Sequence, residues 1–117
     1  MMKATRIYTD EDEETHFEDF DIPLKDSGEI GLLSNLHRAT GIIFRETSED
    51  YDYLWHNAPR RQYVIMLEGQ VDITVSDGEI RRFSDGDVLL LEDTSGKGHY
   101  SKAVNDEKRK SIFITID

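Results

Sequence analysis

Val71-Asp72-Ile73-Thr74-Val75-Ser76-Asp77-Gly78-Glu79-Ile80-Arg81-Arg82-Phe83 reads as a strand, a turn and a returning strand. Val71, Ile73 and Val75 alternate with Asp72, Thr74 and Ser76, the two-residue period of a half-buried strand. Asp77-Gly78 follows at once. This dipeptide favours a two-residue hairpin turn, in which both central positions take positive φ. Such a turn sets Ser76 opposite Glu79 and predicts that Val75 and Ile80 face each other across the hairpin.

The same signals continue on both sides. Ser84-Asp85-Gly86-Asp87 is the next turn, and Val88 to Leu91 is an apolar run of strand length. Residues 110–116 carry Ile112, Ile114 and Ile116 in alternation. Upstream, Tyr63 to Leu67 is a buried-type strand ended by Glu68-Gly69, and Thr40 to Glu46 is another. Tyr51 to His56 ends one strand and Gln62 begins the next, because Pro59 lacks the donor that a central strand needs. Residues 3–8 and 16–22 are weaker candidates. Helical periodicity is nearly absent. The best window, Ile30 to Arg38, is short and holds Gly31, Ser34 and Asn35, so it reads as irregular. Short strands with closely spaced turns predict an all-β sandwich or barrel, and closing or doubling a sheet protects its edges.

At 117 residues the chain reads as one domain, 1–117, able to bury a core without staples. Fourteen Lys and Arg against 25 Asp and Glu give a formal charge of −11. That balance argues against nucleic acid and against an anionic membrane surface. The absence of cysteine excludes disulfides, thiolate metal sites and a Cys nucleophile. The first ten residues hold no apolar core of signal-peptide length, and no window approaches a membrane span. A cytoplasmic protein is the expectation. The acidic run Asp10 to Glu14 reads as a solvated loop, since it lacks the ligand spacing and mid-loop glycine of an EF-hand.

Chemistry-bearing residues gather in two places. Trp55-His56-Asn57-Ala58-Pro59-Arg60-Arg61-Gln62 and Gly96-Lys97-Gly98-His99 each put an imidazole at a strand end. Imidazole and amide groups can hold a divalent metal or orient a small ligand inside an apolar cavity.

These stretches resemble the motifs of the cupin family of small β-barrels. Gln62, six residues and Gly69 have the spacing of the Glu and Gly that end the first cupin motif. His56, Asn57 and Ala58 stand where that motif has His-x-His. Gly86-Asp87 matches the start of the second motif, and residues 94–99 match its end, with Thr94 for Pro and two extra residues between the halves. The likeness spans roughly residues 40–117, with residues 1–39 left as strands that extend one sheet. It implies a single antiparallel double-stranded β-helix, or jelly-roll barrel, and a homodimer paired through the outer strands. The string as a whole is similar to small bacterial single-domain cupins without an established activity.

A typical cupin holds its metal with three His and one Glu. By position this chain supplies His56, Gln62 and His99, with Ala58 in place of the second His. A neutral set suits Zn(II), Ni(II) or Cu(II) better than Fe(II), with water or substrate at the empty places. The other reading is a cavity with two hydrogen-bonded imidazoles and no metal. Arg60 is a candidate clamp for an anionic group. Arg45 is another if it points inward, where it needs a partner such as Glu92. Tyr53 and Tyr63 are candidates for an aromatic lining, and core packing is the alternative. His16 could reach a site from the N-terminal sheet. Lys97 lies between flexible glycines beside His99. Two functions stay open. One is an enzyme of isomerase, lyase or oxygenase type on a small anionic or oxygen-rich molecule, with His56 and His99 as catalytic groups. The other is a metal-free binding or sensor module using the same cavity.

Overall fold

The computed structural model describes residues 1–117 and is all-β. Its strands are β1 (Met2–Thr9), β2 (Thr15–Ile22), β3 (Lys25–Asp26), β4 (Leu32–Leu33), β5 (Gly41–Thr47) and β6 (Asp52–His56). They continue as β7 (Gln62–Glu68), β8 (Val71–Val75), β9 (Ile80–Phe83), β10 (Val88–Leu91), β11 (His99–Ala103) and β12 (Arg109–Thr115). The one helical element is a 3₁₀ turn at Gly28–Ile30. A six-stranded sheet has the order β2-β1-β10-β7-β12-β5, and a four-stranded sheet the order β6-β11-β8-β9. β3 and β4 form a small ladder of their own. The ladders do not close into a barrel, so β2 and β5 are edges of the larger sheet and β6 and β9 of the smaller. No helix is long and apolar enough to cross a membrane.

The two large sheets share one core. Ile7, Val64, Met66 and Leu89 from the larger meet Val71, Ile73, Val75 and Phe83 from the smaller. On β8 the alternation holds as the sequence predicts: Val71, Ile73 and Val75 are buried and Asp72 and Thr74 are not.

Three expectations need correction. First, the hairpin register differs by one residue. Val75 N donates to Glu79 O, and Gly78 N donates to Val75 O. Thr74, not Val75, stands opposite Ile80. The connection is therefore three residues, Ser76-Asp77-Gly78, and only Gly78 takes positive φ. The slip turns Ile80 to the outside, because one residue of register exchanges the faces of a strand. Second, β12 buries Arg109, Ser111 and Thr115, with Phe113 packed on the core, while Ile112 and Ile114 lie on the outer face. Third, the larger sheet is mixed rather than antiparallel. β1 runs parallel to β10, pairing Thr5 with Leu89, and β2 follows antiparallel at the edge. A parallel pair needs a long crossover, and most of the chain supplies it here.

The acidic run is a built turn rather than a loose loop. Asp10 Oδ1 accepts from the amides of Asp12 and Glu14. Glu14 pairs with Lys97 and accepts from Ser76 Oγ, so Lys97 is committed here and does not face a ligand. Fully buried Thr15 accepts at Oγ1 from Ser76 N and donates to Gly98 O. His16 lies between Asp10 Oδ2 (2.6 Å) and Asp77 Oδ2 (2.7 Å) and does not line the cavity between the sheets. These contacts latch the β1–β2 hairpin to the smaller sheet.

The two carboxylates, Asp10 first, raise the His16 pKa above its ordinary 6.5. A raised folded-state value means that the latch contributes its full stability below pH 6.5 and loses it as pH rises through the folded value. His16→Gln is therefore expected to unfold at lower urea than wild type near pH ~6, with the two converging near pH ~9. A gap that widens with pH would show that neutral imidazole suffices.

Candidate functional site

Between the sheets lies a cavity of about 280 Å³ with a largely apolar wall. His56, Gln62, His99, Arg45 and Tyr53 all line it, as the sequence predicts. Three other predicted residues do not. Tyr63 follows Gln62 on β7, so alternation turns it to the outer face, where it lines a different, apolar groove. Arg60 is exposed in the turn after Pro59. Glu92 follows inward-facing Leu91 and points outward, where it accepts from Arg6 (3.2 Å) and Arg61 (2.8 Å) rather than from Arg45.

His56 closes β6 and His99 opens β11, and the two are register partners. Their rings lie 4.4 Å apart between centroids, tilted by 58°. Gly98 makes this approach close. It takes φ +74°, and a Cβ there would stand 2.3 Å from the His56 carbonyl oxygen. A bulge then re-aims β6. His99 and Ser101 oppose His56 and Tyr53, so three residues of β11 (99–101) face four of β6 (53–56). This puts Tyr53 on the same side as His56 despite their odd–even spacing, and the rings stack at 3.6 Å.

Each imidazole is held by its Nδ1. In His56 the partner is the Leu54 carbonyl at 2.7 Å, and in His99 it is Asp93 Oδ2 at 2.5 Å. A carbonyl or carboxylate accepts only, so Nδ1 of each ring carries hydrogen. In the neutral ring Nε2 then bears the free lone pair. Burial lowers the His56 pKa, and neighbouring His99 and Arg45 push it the same way, against the Leu54 carbonyl and Asp93. His56 thus stays an uncharged base below the pH at which a free histidine protonates.

Asp93 and Arg109 were not picked out as site residues from the sequence. Asp93 and His99 form a pair screened from solvent, with side-chain exposures of 0% and 4%. Asp93 follows the alternation of Leu89 and Leu91 inward past the end of β10, which was the available signal. Buried Arg109 also lines the cavity. Four buried side-chain polar atoms have no partner: Gln62 Oε1, Asp93 Oδ1, Arg109 Nε and Ser111 Oγ. Gln62 and Arg109 are cavity residues, Asp93 stands behind His99, and Ser111 lies between Arg109 and Phe113 on the same face. Such atoms are rare in folded proteins, and two of the four, Gln62 Oε1 and Arg109 Nε, belong to residues that line the cavity. No three His, Cys, Asp or Glu side chains converge as metal ligands.

No family model matches this chain, and no curated protein matches it. The solved structures similar to it include two bacterial proteins. One is the conserved SPY1581 protein of unknown function from Streptococcus pyogenes, 21% identical with a TM-score of 0.52 over 74% of this chain and 69% of that one. The other is protein NMB1881 from Neisseria meningitidis, 18% identical with a TM-score of 0.52 over 70% of this chain and 79% of that one. At these identities the likeness is one of fold: an all-β chain whose arrangement recurs in proteins from two bacteria.

Proposed function

We propose that this chain is a small cupin-like protein that binds a small molecule between its sheets, with a divalent metal held by His56, Gln62 and His99. The two open sheets would then be the halves of a jelly roll, and β1 and β2 its added edge. The observation that carries this reading is the paired imidazoles at 4.4 Å, each tied at Nδ1, beside an unpartnered Gln62 Oε1. Outer hydrogen bonds of this kind orient metal-ligating histidines and fix their tautomer. A bound ion would polarise a carbonyl or lower the pKa of water. The chain's own part is to present two lone pairs and an amide oxygen, exclude water with an apolar wall, and keep His56 unprotonated at mildly acidic pH.

Elemental analysis after loading with Zn(II), Ni(II), Cu(II) or Fe(II) tests this. About one metal per chain is expected in the wild type, and much less in His56→Ala and in His99→Gln, with circular dichroism unchanged. His99→Gln is chosen because its amide can still donate to Asp93. A wild type that takes up none of the four ions overturns the metal reading.

A second reading is favoured by the Asp93–His99 pair. A carboxylate-oriented imidazole beside a neutral one can move a proton between two positions of a ligand without any metal. An isomerase or lyase, or a binder that only orients its ligand, would use the same atoms. Turnover of a bound ligand by metal-stripped protein would select this reading over the first.

A further inference from the structure

Arg45 and Arg109 line the same cavity as the imidazoles. Arg45 stands on β5 opposite Ser111, and Arg109 begins β12 on the inward face. Both guanidinium groups lie over Tyr51, at 5.1 and 4.9 Å from its ring centroid, and Arg45 is also 5.2 Å from Phe113. Arg109 is only 7% exposed, and its Nε has no partner. Burial, with Arg45 beside it, holds its guanidinium below the ordinary range, against the opposing pull of the Tyr51 hydroxyl.

No carboxylate pairs with either arginine. Arg6, Arg61, Arg81 and Arg82 all have carboxylate partners, and Arg38 and Arg60, which have none, are exposed to water. A protein with 25 acidic residues has left its most buried guanidinium without one. A buried cation without a counter-charge is costly, and the missing charge has room to come from outside. The interval to the imidazoles is spanned by aromatic rings. Tyr51 is 6.3 Å from Tyr53, which is stacked on His56. Much of the remaining wall is apolar, formed by Val64, Met66, Val71 and Leu89 among others.

The geometry points to a small organic acid as the ligand, its carboxylate between Arg45 and Arg109 over Tyr51 and its other end beneath His56 and His99. This rests on the reading of the cavity as a ligand site. Planar guanidinium forks match a carboxylate with two parallel hydrogen bonds. The same forks would take a phosphate, but the cavity is small and its wall largely apolar, which favours the less highly charged carboxylate on an apolar body. The volume is below the usual range for drug-sized ligands, which limits the acid to a small one.

Calorimetric titration with benzoate and hexanoate, against benzamide, hexanamide and inorganic phosphate, tests this at neutral pH. At least one acid is expected to bind about tenfold or more tightly than its amide and to raise Tm. Arg109→Met and Arg45→Met should each abolish that preference. Arg82→Met, at an exposed position outside the cavity, should keep it. Arg45 is partly exposed, so Arg45→Met carries the test if Arg109→Met fails to fold. Equal binding of acid and amide, tighter binding of phosphate, or a preference surviving both Arg45→Met and Arg109→Met overturns the proposal. Amide binding without acid preference leaves the cavity reading standing, and no binding by any acid or amide removes both.

Discussion

His99→Ala is expected to lower the free energy of unfolding by about 3–5 kcal/mol, measured by urea denaturation. The truncation removes the only partner of the Asp93 carboxylate, which is fully buried and whose Oδ1 already lacks one. What remains is a carboxylate out of reach of water, and the cost of leaving it unpaired exceeds the value of the lost contact. Two companions locate the origin. Asp93→Asn should cost less than His99→Ala, since an amide oxygen still accepts from Nδ1. Replacing both residues by leucine should recover much of the loss, because a well-packed apolar pair often equals a buried ionic one. A loss below about 1 kcal/mol in His99→Ala would mean that Asp93 is solvated, as exposed pairs are.

Gly98→Ala is expected to cost at least about 3 kcal/mol and to abolish ligand or metal binding, read by thermal denaturation and titration. Two effects add. The residue holds φ +74°, which an L side chain adopts with strain, and its new methyl would enter the backbone of His56 at 2.3 Å. Backbone cannot rotate away as a side chain can, so β6 and β11 must part at the point where the imidazoles meet. Gly78→Ala is the control. It shares the positive φ but meets nothing within 4 Å, so it should cost only about 1 kcal/mol. Equal losses in the two variants would attribute everything to φ and nothing to crowding.

The strands were legible because most follow alternation bounded by Gly, Asp or Pro. The errors have definite causes. Asp77-Gly78 suits both a two-residue turn and a three-residue one with a bulge, and the choice was made by packing: Ser76 and Asp77 are held by Thr15 and His16, far away in sequence. On β12 the isoleucines drew attention to the wrong face. Both faces of the larger sheet are partly apolar, so period two located the strand but not its inside, and Arg109 was overlooked in consequence. Tyr63 and Glu92 could have been set aside from sequence, since each neighbours an inward residue. Tyr53 could not have been placed, because its side depends on a bulge that only the β6–β11 register reveals.

The seat of β1 against β10 joins residues more than eighty positions apart. On a translating ribosome the first hairpin emerges early, but the strand it must lie beside is made only after three-quarters of the chain has appeared. Until then one flank of β1 stays open to any other extended chain, and a holdase that masks this flank would raise the yield of folded protein.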